Sequence, residues 1–100
     1  MMNMKGGVAV VTGGASGLGK AMAEEAARRG MKVVIADVEA GAMEQAVADL
    51  RTSGAEAIGV LTDVTSAASV EALAVATEQN FGPANLLFNN AGVASGGPIW

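Results

Sequence analysis

The sequence predicts an α/β protein built on a parallel sheet wound in the order βαβαβαβ. Three observations support this. Four short apolar runs, Val8–Val11, Lys32–Ala36, Ala57–Leu61 and Leu86–Phe88, have strand length. The stretches between them carry apolar residues at helical spacing, and every junction from a run into a helix carries a glycine or a polar side chain. Strands alternating with helices of this length require parallel pairing with right-handed crossovers, because short loops cannot return the chain to the same edge of the sheet.

The first run, VAVV, has no polar alternation, as expected of a strand buried on both faces. It leads through Thr12 into a turn with glycines at Gly13, Gly14, Gly17 and Gly19. From Leu18 to Arg29 the residues Leu18, Met22 and Ala26 recur every four positions, which predicts an amphipathic helix closed near Gly30. KVVIA follows as the second strand, and Asp37 stands at its end. Met43, Ala46, Val47 and Leu50 form one stripe of a second helix, Glu39 to Ser53, stopped near Gly54. After the third strand and Thr62, Asp63 and Val64, either Thr65 or Ser66 caps a third helix with the stripe Val70, Leu73, Ala74 and Thr77. Pro83 prevents that helix from resuming, and Leu86–Phe88 leads into Asn89, Asn90, Ala91 and Gly92. Val93 to Trp100 reads as a loop heading toward a further element.

One hundred residues form one small domain or a piece of a larger one. With 51% hydrophobic and 16% charged residues the chain can form a core, yet no run approaches the roughly 20 apolar residues of a membrane helix. These features predict a soluble, cytoplasmic protein. Without cysteine or histidine, disulfides are excluded and a metal site of the usual ligands is not expected. Tyrosine is absent too, so carboxylates, lysines and hydroxyls are the remaining acid, base or nucleophile types. A net charge of −4 argues against a nucleic-acid partner.

In an open parallel sheet, ligands sit beyond the carboxyl ends of the strands. There the predicted topology gathers the turn from Gly13 to Gly19, then Asp37, then Asp63 with Val64, then Asn89 to Gly92. A strand turning sharply into a helix directs unpaired amides and the positive end of the helix dipole at one spot, which suits a phosphate. Gly13 would permit the tight turn, Gly17 the approach of a pyrophosphate, and Gly19 close packing of helix on sheet. Asp37, roughly 20 residues beyond the turn, stands where an acid accepts hydrogen bonds from an adenosine ribose. A carboxylate there favours a free 2′-hydroxyl and repels a 2′-phosphate, so NAD is expected over NADP. The plainer alternatives are that Asp37 and Asp63 cap the helices that follow them, and that Asn89 and Asn90 tie strand ends together.

Together Thr12-Gly13-x-x-x-Gly17-x-Gly19, Asp37, Asp63-Val64 and Asn89-Asn90-Ala91-Gly92 resemble the short-chain dehydrogenase/reductase family, over nearly the whole chain but only that family's N-terminal part. The resemblance implies a Rossmann-type doubly wound sheet, present here in part. It implies that residues 1–100 are the N-terminal part of an NAD(P)-binding domain whose catalytic part lies outside this chain. Gly13, Ser16, Gly17, Leu18 and Gly19 match the turn that holds the cofactor pyrophosphate and neighbouring riboses. Asp37 matches the ribose-binding acid of NAD-using members, and Ser16 stands where NADP-using members often carry a basic residue. Asp63 and Val64 match residues at the adenine edge. Asn90 matches a residue beside the adenosine ribose, and Ala91 with Gly92 let the cofactor pass close to the sheet.

The family's Ser, Tyr and Lys proton relay has no place in this sequence, so no catalytic residue is assigned. The resemblance implies a parent oxidoreductase that moves hydride between nicotinamide and an alcohol or ketone, and a homo-oligomer. Two other readings stay open. One is a non-catalytic dinucleotide-binding module or an incomplete product. The other is a methyltransferase of related fold, which would explain Gly13 to Gly19 and Asp37 but gives Asn89 to Gly92 no purpose.

Overall fold

A computed structural model describes residues 5–15 and 17–90. Its elements are β1 (Val8–Thr12), α1 (Gly17–Arg28), β2 (Lys32–Asp37), α2 (Ala40–Thr52), β3 (Ala57–Leu61), α3 (Ala67–Phe81) and β4 (Leu86–Asn89). The four strands form one parallel sheet in the order β3-β2-β1-β4. From β1 the chain winds outward to β2 and β3, then crosses back to place β4 on the other side of β1. The reversal of winding direction therefore falls between β1 and β4.

Odd and even strand positions face opposite layers, as the two-residue period requires. Ala9, Val11, Val33, Ile35 and Ala57 pack under α1 and α2 with Ala23, Ala26, Met43, Val47 and Leu50. Val8, Val10, Val34 and Ala36 face α3 and meet Leu73. The central strands β1 and β2 are thus covered on both sides, which is why their runs show no alternation. Fully burying each such Val or Ile stabilises the fold by roughly 1.5–3 kcal/mol. β3 lies at one edge, where half-buried Ile58 and Val60 alternate with exposed Gly59 and Leu61 after the buried Ala57, and β4 at the other edge is half-buried throughout.

The helix ends follow the sequence signals. At the end of α1 the Met31 amide donates to Ala26 and the Gly30 amide to Ala27, the paired bonds of a Schellman motif. Gly54 and Ala55 close α2 in the same way, on Arg51 and Leu50. Ser66, one of the two expected caps, accepts from the Ser69 amide at 3.2 Å and starts α3.

The expected helix faces fail in part. Leu18 is 62% exposed, and the buried stripe of α1 is Gly19, Ala23 and Ala26. Ala26 belongs to both the expected and the observed stripe, so the helix face is turned by less than the roughly 100° of one residue. The cause is the closeness of α1 to the turn behind it: a Cβ on Gly19 would collide with the Gly13 carbonyl. Only the smallest residues fit there, and Leu18 is left facing outward. Gly19 was expected to permit close packing on the sheet, whereas the tightest approach is to the turn itself and to Asn90, whose Nδ2 would lie 3.1 Å from that Cβ. In α3, Leu73 and Thr77 are buried as expected, while Ala74 is exposed.

Candidate functional site

The strand registers bring the carboxyl ends level. Thr12 pairs with Ala36 on one side and Asn89 on the other, and Asp37 pairs with Leu61. The glycine turn, Asp37, the β3–α3 connection and Asn90 therefore share one rim of the sheet, at the reversal of winding between β1 and β4.

The turn is held from both neighbouring strands. The Gly13 amide donates to Ala36 O at 2.7 Å, and Asn90 Nδ2 donates to Gly13 O at 3.4 Å. Between these anchors Gly13 has φ +65° and Gly17 φ +58°, left-handed values that ordinary side chains resist. Beside Gly17 the direction a Cβ would take is open: among the described residues, apart from its chain neighbours and its own helix backbone, none comes within 4 Å. α1 begins there with no acidic residue in its first turn. Its leading amides and the positive end of its dipole are thus uncompensated by any carboxylate of that turn, a setting that favours an anion.

Asp37 is half-buried, and each of its carboxylate oxygens accepts one amide. Its Oδ2 accepts the Ala15 amide at 3.1 Å and its Oδ1 the Glu39 amide at 3.1 Å, while its backbone carbonyl accepts Thr62 N–H at 2.9 Å. The same carboxylate thus ties the glycine turn to the start of α2, so the helix-start alternative holds for one of its oxygens. An ionised carboxylate offers about four lone pairs, and two amides leave about two for further donors.

Asp63 is exposed, and its bonds go to the start of α3. Its Oδ1 accepts both the amide (2.9 Å) and the hydroxyl (2.6 Å) of Thr65, and its own amide donates to Ser69 Oγ at 2.9 Å. These Thr65 bonds, the hydroxyl's first, hold the Asp63 carboxyl below the ordinary aspartate range, so it is an ionised acceptor at neutral pH. Val64 is half-buried beside it. Asn89 accepts the Thr12 hydroxyl through Oδ1 at 2.8 Å, which bears out the strand-tying alternative for that residue. Ser16, Ala91 and Gly92 lie outside the described residues.

Three contributors escaped the sequence reading. The Ala15 amide is a backbone group and leaves no mark in the sequence. Thr12 stood in the motif with no bond partner in view. Asn85 accepts the Val8 amide through Oδ1 at 2.8 Å and donates its own amide to Val8 O at 2.8 Å, fixing the register of β4; a polar residue just before an apolar run was its only signal.

Strand order, double winding and the glycine turn at the reversal define a Rossmann-type α/β fold, present in part. The chain belongs to the short-chain dehydrogenase/reductase family: the model of the short chain dehydrogenase family matches residues 7–99. It is 41% identical over 100 residues to a CLA biosynthesis dehydrogenase/reductase of Lactiplantibacillus plantarum, covering all of this chain and 35% of that protein. A short chain dehydrogenase/reductase from Burkholderia phymatum, solved in complex with NAD, is 55% identical with a TM-score of 0.90, over 93% of this chain and 33% of its own. The L-sorbose reductase of Gluconobacter frateurii, solved with NADPH and L-sorbose, is 35% identical with a TM-score of 0.85, over 91% and 36%. The chain spans about a third of the length of these relatives. No helix among the described residues is long and apolar enough to cross a membrane.

Proposed function

We propose that this chain is the N-terminal, cofactor-binding part of an NAD-dependent oxidoreductase that interconverts an alcohol and a ketone. The observation that carries the reading is Asp37, which lies level with the glycine turn and keeps about two lone pairs beyond its two amide bonds. Two is the number of hydroxyls on an adenosine ribose. Gly13, Ser16, Gly17, Leu18 and Gly19 would hold the pyrophosphate, Asp63 and Val64 the adenine edge, and Asn90, Ala91 and Gly92 the cofactor's path along the sheet. The bound dinucleotide supplies a nicotinamide that accepts or donates hydride. This chain's own part is to bind and orient, since no residue in it is assigned to move the proton. The similar Burkholderia phymatum protein, solved with NAD, supports this choice of cofactor. The alcohol or ketone site, the proton relay, a homo-oligomeric parent and a cytoplasmic location belong to the same proposal.

A 2′-phosphate would meet the Asp37 carboxylate. At about 4 Å two unit charges repel by roughly 1 kcal/mol in water and about 4 kcal/mol at a protein surface. NADH should therefore bind at least about fivefold more tightly than NADPH. Titration of both into the full-length protein tests this, and equal or tighter NADPH binding would remove the role given to Asp37.

The absence of tyrosine favours a second reading for the 100 residues by themselves, a dinucleotide-binding module without activity of its own. Size-exclusion chromatography with and without NAD separates the two. A monodisperse monomer that binds NAD supports the module, whereas aggregation through the β4 edge supports dependence on further chain.

A further inference from the structure

The Ala15 amide is one of the backbone donors of the glycine turn, yet it points at a carboxylate 22 residues away. The turn has left-handed glycines at its two ends, Gly13 and Gly17, and residues 13–15 lie outside any helix or strand, so regular backbone pairing does not set their shape. Among the described residues three bonds from the neighbouring strand ends do: Ala36 O with the Gly13 amide, Asn90 Nδ2 with the Gly13 carbonyl, and Asp37 Oδ2 with the Ala15 amide. Of these three, the third reaches the middle of the turn. Ala15 is 8% exposed, so without Asp37 its amide would have to find another acceptor or shift toward water.

We propose that Asp37 is a positioning residue for the diphosphate end of the site as well as a ligand for the ribose: it fixes the glycine turn in its receptive shape by holding the Ala15 amide. The inference rests on the dinucleotide reading above and extends it. The carboxylate draws Ala15 inward, which leaves the amides at the start of α1 to face the anion. Its other oxygen, on Glu39, keeps the carboxylate from swinging away with its ligand.

The sign of one substitution separates this from a purely ribose-binding role. The probes are ADP and 2′,3′-dideoxy-ADP, which keeps the diphosphate and adenine and lacks both hydroxyls. If Asp37 acted through the hydroxyls alone, Asp37→Ala would leave dideoxy-ADP affinity unchanged, or raise it by removing a negative charge near the diphosphate. Positioning of the turn predicts a fall of about threefold to tenfold, the size of one hydrogen bond. Calorimetry on the full-length protein, with thermal melts to verify folding, reads the difference.

Amide hydrogen exchange at Ala15 of the unliganded wild-type protein supplies a measurement that needs no variant. Strong protection is expected there, and exchange at the rate of an open loop would overturn the proposal. Should Asp37→Ala fail to fold, this exchange measurement decides alone. Wild-type protein that binds no ADP would overturn the dinucleotide reading and this inference together. ADP binding with dideoxy-ADP affinity undiminished in Asp37→Ala would overturn this inference alone.

Discussion

The hydroxyl of Thr12 donates to Asn89 Oδ1 at 2.8 Å, a side-chain bond between residues 77 positions apart that joins the last residues of β1 and β4. Thr12 is fully buried, so both polar groups are matched where water does not reach the hydroxyl. The two strands flanking the reversal of winding are thereby fixed at the rim where the glycine turn begins.

Thr12→Val keeps the shape and deletes the donor. With the Asn89 carbonyl deprived of that partner, stability should fall by about 1–3 kcal/mol. Urea denaturation should show a lower midpoint with an unchanged slope.

Gly17 and Gly19 should fail in different ways. Gly17→Ala meets open space but holds a left-handed backbone, a strain of roughly 1–2 kcal/mol, and its methyl enters the approach to the turn. It should remain folded and lose most NADH affinity. Gly19→Ala drives a methyl into the Gly13 carbonyl, so the helix must move away from the turn. That variant should lose thermal stability as well as binding, which melting curves and NADH titration distinguish.

Asp63 sets a pH dependence. Its carboxyl is held below the ordinary value by Thr65, so the folded state binds its proton less readily than the unfolded chain. The associated stability is present above the unfolded aspartate pKa and is lost as pH falls through the lowered one. Asp63→Ala should therefore lower stability at pH 7, and by progressively less as pH falls through the lowered value. Carbon-detected NMR titration of the wild type should place the Asp63 midpoint below that of an unstructured aspartate.

The winding was legible because each strand is a short apolar run and each helix opens beside a recognisable cap or turn. Val8 to Val11 and Val33 to Ala36 show both-sided burial directly in their lack of alternation. The face of α1 was not legible, since the stripe was sought in large side chains while the real contact needed the absence of one at Gly19. Asp37 could be placed at the rim by counting, but its bond to Ala15 could not, because a backbone amide has no sequence signature and the pairing depends on the register of β1 on β2. Asp63 carried two readings of equal form in sequence; the cap of α3 is Ser66, and the Asp63 carboxylate instead braces Thr65 just before that cap, which leaves the ligand reading in place.

A crystal structure of the full-length protein with NADH is the most direct measurement of the central claim, that the glycine turn and Asp37 together grip an adenylate diphosphate. The account predicts phosphate oxygens within hydrogen-bond distance of amides in residues 17–19 and both adenosine ribose hydroxyls on the Asp37 carboxylate. A dinucleotide seated anywhere else, or a ribose that leaves Asp37 untouched, would contradict it.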